Sequence, residues 1–195
     1  MQPTIYLIPR WGGKIHSDWY DWFGAEIMER YGLSVIVLDM PNWNQPDVEE
    51  SVNFLLSQIS HVDKLTYFIG HSVGCQVVIR YLIARLGQDK TLEIGGILLI
   101  AAWFMVDRPW DTINPWIANK GLDYRSLSER VRFRKVVLSD NDPFTPNYAE
   151  NKKLWVDRIN ASVTVYPQRS HFNSKAEPGV IEGFAEMIDQ TIKTT

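Results

Sequence analysis

Six short runs of β-branched and aliphatic residues punctuate the chain, and between them apolar positions recur at helical spacing. The runs are Thr4–Ile8, Ser34–Leu38, Leu65–Ile69, Gly96–Ala101, Arg134–Ser139 and Ser162–Tyr166. Runs this short, bounded by Gly, Pro, Asn, Asp and Ser, have the length and punctuation of strands. The longer segments Ser17–Tyr31, Pro46–Ser60, Val73–Leu86, Asn147–Arg158 and Pro178–Lys193 carry the period of helices that bury one face. Strand and helix alternate from end to end, with one loop breaking the alternation after the fourth run. This order predicts an α/β fold: a mostly parallel six-stranded sheet with helices on both faces, in three layers.

Helix ends are marked unevenly. Ser17 is placed to cap the first helix, and Pro46-Asp47-Val48-Glu49-Glu50 reads as a helix start, with proline in the first turn and acids at the positive end of the dipole. The one long irregular stretch runs from Trp103 to about Lys120 and ends at a short helical pattern, Leu122–Val131. Its large apolar residues Trp103, Phe104, Trp110 and Trp116 argue against disorder. They are candidates for a pocket wall or lid, and the competing reading makes them a satellite core over the sheet end.

Length changes the picture little: 195 residues make one domain, residues 1–195, large enough to bury a core. Composition narrows the function classes. With 45% hydrophobic and 22% charged residues and a net charge of -3, the chain carries no electrostatic footprint for nucleic acid or an anionic membrane. A single cysteine, Cys75, excludes an internal disulfide. The start MQPTIYLIPRWGG lacks a basic region followed by a long apolar one, and no apolar stretch approaches about 18 residues. The expectation is a soluble, cytoplasmic protein. No His/Cys/Asp/Glu cluster has metal-ligand spacing, so neither metal nor cofactor is expected.

Chemistry concentrates at Gly70-His71-Ser72-Val73-Gly74, directly behind the third run and ahead of a helix. The pentapeptide matches G-x-S-x-G, a sharp strand-to-helix turn that leaves a serine hydroxyl exposed above the sheet edge. Alone it is a weak signal; the strand before and the helix after strengthen it. Serine at neutral pH needs a base and usually an acid that orients the base. In an α/β sheet these belong in loops at the carboxyl ends of later strands. The fifth run is followed by Ser139-Asp140-Asn141-Asp142-Pro143-Phe144, and the sixth by Pro167-Gln168-Arg169-Ser170-His171-Phe172. His171 is the only histidine beyond Ser72, so it has no rival as base. Asp140 and Asp142 compete as the acid. Pro143 favours Asp142 by holding it extended, whereas Asp140 suits a turn.

An acyl-transfer site also needs donors for a developing oxyanion: the amide after the nucleophile, here Val73, and one from the loop behind the first strand. Pro9 has no amide hydrogen, which leaves Arg10 or Trp11, with Gly12-Gly13 letting the backbone approach. His16 in the same loop is a candidate for lining the site, against the commoner surface role of a loop histidine. Trp19, Tyr20, Trp22 and Phe23 fall on more than one helix face, so most should be core and some should reach the cleft. Cys75 and His71 read as packing residues beside the serine.

The elbow G-H-S-V-G, the segments S-D-N-D-P-F-T-P and S-H-F-N, and the N-terminal P-R-W-G-G…H-S-D-W-Y-D-W resemble, across nearly the whole chain, the small serine hydrolases that include retinoblastoma-binding protein nine and the bacterial YdeN proteins. The resemblance implies a compact α/β-hydrolase fold lacking the usual first two strands, with Ser72 as nucleophile, Asp142 as acid and His171 as base. It implies a small ester or amide as substrate. The chain departs from many α/β-hydrolases in having Ser170 where glycine usually precedes the histidine, and only two glycines in the first loop. A hydrolase-fold protein that mainly binds another protein is the competing reading, although the L-x-C-x-E peptide is absent and no surface is singled out for a partner. Acyl transfer or carbon-carbon cleavage on the same residues is a third, because fold does not decide reaction class.

Overall fold

A computed structural model of the chain describes residues 2–118 and 121–193. Six strands, β1 (Thr4–Ile8), β2 (Val35–Val37), β3 (Thr66–His71), β4 (Ile94–Ile100), β5 (Val131–Ser139) and β6 (Ser162–Tyr166), form one sheet in the order β2-β1-β3-β4-β5-β6. Every pairing is parallel. The sheet is therefore wholly parallel, and its buried strands read as continuous apolar runs because both faces are covered.

Helices α1 (Tyr20–Tyr31) and α7 (Pro178–Lys193) cover one face, while α2 (Val48–Gln58), α3 (Val73–Gln88), α5 (Tyr124–Arg130) and α6 (Tyr148–Ile159) cover the other. A one-turn helix, α4 (Asn114–Ile117), lies within the loop after β4. The period of two along each strand sorts the two cores. Ile97 and Leu99 of β4 join one cluster and Leu98 and Ile100 the other; Phe68 of β3 parts in the same way from Tyr67 and Ile69. From β1 the chain first moves to one side, to β2, and then crosses back to β3. This reversal makes the crevice between the carboxyl ends of β1 and β3 the topological switch point, where α/β sheets bind ligands.

Several boundaries differ from the sequence expectation for identifiable reasons. Ser17 does not cap α1: its hydroxyl accepts the Lys14 amide at 2.8 Å, and Asp18 at φ 51° separates it from the helix, which begins at Tyr20. The second helix starts at Val48, capped by Asp47, whose carboxylate accepts the Glu50 amide at 2.9 Å. Strand β5 begins three residues early, since Val131 pairs with Ile94, and of its two arginines Arg132 is exposed while Arg134 is half-buried. The Trp103–Lys120 segment is described from Trp103 to Ala118, and its last two residues lie outside the described ones.

Candidate functional site

The turn after β3 is held by close approach. A Cβ on Gly70 would stand 2.7 Å from the Cys75 backbone, and one on Gly74 would stand 2.7 Å from the Pro9 carbonyl oxygen. Ser72 sits between them at φ 55°, ψ -120°, a conformation that L residues rarely adopt, and its amide continues the sheet by donating to Ile100 O at 2.8 Å. The side chain of Cys75 is buried under this turn, its thiol donating to Gly70 O, and burial pushes the thiol pKa well up. That makes it inert packing.

Asp142 and His171 meet at the ends of β5 and β6. Asp142 is 2% exposed, and one carboxylate oxygen lies 2.7 Å from His171 Nδ1 while the other accepts the Phe144 amide at 2.9 Å. A carboxylate only accepts, so Nδ1 carries the proton, and in the neutral ring Nε2 keeps its lone pair. The two loops are stitched together by three amides: Gln168 donates to Asp140, Arg169 to the Ser139 hydroxyl and Ser170 to Asn141. Gln168, Ser170 and Phe172 all have φ near 50°. Ser170 thus occupies the left-handed conformation that explains why glycine is usual there. Asp140 is exposed and spent on this turn; Asp142 alone faces the histidine.

Ser72 and His171 line one cavity of about 500 Å³, together with Trp11, Trp103, Trp110 and Phe144, the last standing edge-on to the His171 ring at 4.7 Å. Val106 and Ile113 complete its apolar wall, and Arg10 and Asn173 its polar rim. The Arg10 guanidinium is already committed to Asp18 at 2.7 Å. Among the described residues the Ser72 hydroxyl has no hydrogen-bond partner.

In the first part of the loop after β1, from Arg10 to Lys14, each amide but one is held among the described residues. The Arg10 amide donates to the Tyr20 hydroxyl at 3.0 Å, that of Gly12 to Trp43 O and that of Gly13 to Arg10 O, both at 2.8 Å. Arg10 is therefore not a free donor, which corrects one of the two expectations for this loop. The Trp11 amide has no partner among the described residues, nor has that of Val73 at the start of α3.

Three further expectations are corrected. His16 stays in solvent, its ring 75% exposed and paired with Asp21 at 2.9 Å. Phe104 is buried and does not line the cavity, its ring tilted against Trp155 at 3.9 Å with the Arg158 guanidinium 4.3 Å from its centre. Trp116 is buried beside α2, donating to Pro46 O, with Arg80 against its ring. Of the four aromatic candidates, Trp103 and Trp110 line the cavity. Phe144 and Asn173 escaped sequence reasoning, although each stands two residues beyond a chemically assigned one. From the first helix Trp19, Tyr20 and Phe23 are fully buried and none lines the cavity.

His71 is fully buried, and burial holds its pKa well below the ordinary 6.5, helped by the neighbouring His171. Its sign is fixed by linkage. As pH falls through about 6.5 the unfolded chain takes up a proton that native His71 refuses, so stability is lost on acidification by at most about 1.4 kcal/mol per pH unit. Urea unfolding between pH 7 and pH 5 should therefore show a steeper loss for the wild type than for His71→Gln. Parallel losses would contradict a neutral buried imidazole.

Among the described residues, no group of His, Cys, Asp and Glu is arranged to hold a metal, and no helix is long and apolar enough to cross a membrane. A curated relative, the hydrolase YdeN of Bacillus subtilis, is 25% identical over 172 residues, covering 88% of this chain and 87% of the relative. The crystal structure of the B. subtilis ydeN product superposes with a TM-score of 0.81 at 21% identity, over 96% of this chain and all of that one. An α/β serine hydrolase without lid from Xanthomonas campestris matches at TM-score 0.59 and 15% identity, over 97% and 83% of the two chains. These likenesses give the α/β-hydrolase fold. The serine hydrolase family model spans residues 5–190, nearly the whole sheet and every loop at its carboxyl edge, and the chain belongs to the serine hydrolase family.

Proposed function

We propose that this serine hydrolase cleaves small, neutral carboxylic esters with an apolar acyl group, through an acyl-enzyme on Ser72. The observation that carries the reading is the buried Asp142–His171 pair opening on the same cavity as Ser72. Ser72 attacks the carbonyl carbon as His171 Nε2 takes its proton; Asp142 keeps the proton on Nδ1 and stabilises the imidazolium that forms. The unpartnered amides of Val73 and Trp11 bind the oxyanion. His171 then returns its proton to the leaving alkoxide, and a water activated by the same nitrogen releases the acid. The acyl preference rests on Trp103, Val106 and Ile113, which offer no charge, and on the neutralisation of Arg10 by Asp18. An amide is the harder alternative substrate for the same residues.

A fluorophosphonate probe tests the nucleophile. The wild type should be labelled, and labelling should vanish in Ser72→Ala and nearly vanish in His171→Ala. Equal labelling of Ser72→Ala, or none of the folded wild type, overturns the reading. A panel of p-nitrophenyl esters should then favour uncharged acyl chains over acyl groups bearing a carboxylate.

A further inference from the structure

A chain of hydrogen bonds, buried at Tyr20 and His71, joins the loop after β1 to the backbone of His171. The Arg10 amide donates to the Tyr20 hydroxyl at 3.0 Å; that hydroxyl lies 2.9 Å from His71 Nδ1; His71 Nε2 lies 2.8 Å from the His171 carbonyl oxygen. Donor and acceptor chemistry leaves one arrangement for a neutral ring. The carbonyl only accepts, so His71 Nε2 carries the proton, Nδ1 is the acceptor, and the Tyr20 hydroxyl must donate to it. All the protons point one way, from the first loop towards His171.

Among the described residues, no carboxylate hydrogen-bonds the His71 ring. Tyr20 meets the His71 ring edge-on, Trp19 and His171 pack against it at 5.6 Å, and Arg10 is turned to Asp18. The Tyr20 phenol is kept protonated by burial, its pKa pushed well up, and burial of the His71 ring favours the neutral form the chain requires. Trp19 adds a parallel tie, its indole N–H donating to the carbonyl of the next residue, Phe172, at 3.0 Å. Phe172 is at φ 54°, so the backbone carrying the base is held in a conformation it would not choose alone.

We infer that His71 and Tyr20 are positioning residues for hydrolysis, fixing in one unit the backbone of His171 and the loop that presents the Trp11 amide. The inference rests on the proposed roles of His171 and Trp11. Neither His71 nor Tyr20 borders the cavity, so neither touches substrate. Their effect is on the distance between base, nucleophile and oxyanion donor, where a displacement of about 1 Å costs roughly a hundredfold in rate.

The test combines kinetics per active site, titrated by fluorophosphonate, with nitrogen NMR of the imidazoles. Tyr20→Phe removes one oxygen atom and His71→Leu removes both links; His71→Gln keeps an N–H for the His171 carbonyl. We expect kcat to fall about 10- to 100-fold in Tyr20→Phe and His71→Leu with KM within about twofold. His71→Gln should recover part of the loss, and the double variant Tyr20→Phe/His71→Leu should be no slower than the worse single one. The His71 ring should show a protonated Nε2 and no titration between pH 5 and 8. Unchanged kcat per titrated site in Tyr20→Phe, losses that multiply in the double variant, or a protonated Nδ1 on His71 would each overturn the inference. A purely structural role would lower stability and yield while leaving kcat per titrated site intact. If His71→Leu does not fold, Tyr20→Phe decides. If the wild type turns over no ester, the ester reading falls, and the imidazole shifts and phosphonylation rates still judge the chain.

Discussion

Ser72→Ala is expected to lower ester turnover by about 10⁴-fold or more, and His171→Ala by a similar factor, with the double variant no worse than either. Removing either group ends proton transfer and attack together, so the second loss has nothing left to remove. Residual rate would come from the Val73 and Trp11 amides and from binding, which do not depend on the hydroxyl. Single-turnover kinetics at matched concentrations of folded protein checks this; losses that add on a logarithmic scale would mean that the two residues act separately. Stability should move in the opposite direction for a third variant. Ser72 holds φ 55° at a residue with a Cβ, which costs on the order of 1–3 kcal/mol, so Ser72→Gly should be inactive and yet unfold at higher urea than Ser72→Ala. A glycine variant no more stable than the alanine one would mean that the turn is not strained.

The fold was legible because its cause is local. Runs such as Thr4–Ile8 and Ser162–Tyr166 are strands by pattern and strands in the sheet, and the alternation with helices leaves only a parallel arrangement. Legibility failed where a residue's role is set from outside its own segment. Gly95 falls outside the fourth run as read from the sequence, yet it lies with Gly96 inside β4, where a Cβ would meet the Tyr67 ring or the Met187 sulfur at 2.7–2.8 Å; both are there for close packing. The loop aromatics show the same limit. Trp103 and Trp110 reach the cavity while Phe104 and Trp116 turn away, since Asn151 pins the backbone at Phe104 and Met105 and Arg80 holds the Trp116 carbonyl. No periodicity in a loop encodes those distant partners. His71 is the clearest case. Beside the serine in sequence it is a packing residue; only the meeting of α1, β3 and the His171 loop makes it a link.

Asp142→Asn should cut kcat by about 10⁴-fold, whereas Asp140→Asn should cost less than about tenfold. The two carboxylates stand two residues apart in one loop, and their surroundings separate them. Asp142 is buried and faces His171 Nδ1 at 2.7 Å, so an amide in its place either presents its NH₂ to that nitrogen or rotates to accept from it. In the first arrangement the imidazole proton moves to Nε2 and the base is lost; in the second the tautomer survives, but no charge balances the imidazolium formed on attack. The Phe144 amide, 2.9 Å from the other Asp142 oxygen, favours the first by keeping the amide oxygen for itself. Asp140 accepts only the Gln168 amide from an exposed turn, and an asparagine oxygen can do the same. The discriminating measurement is kcat for both variants on one apolar ester, with urea unfolding alongside. Comparable losses in the two, or a greater loss in Asp140→Asn, would move the orienting role from Asp142 to the turn itself.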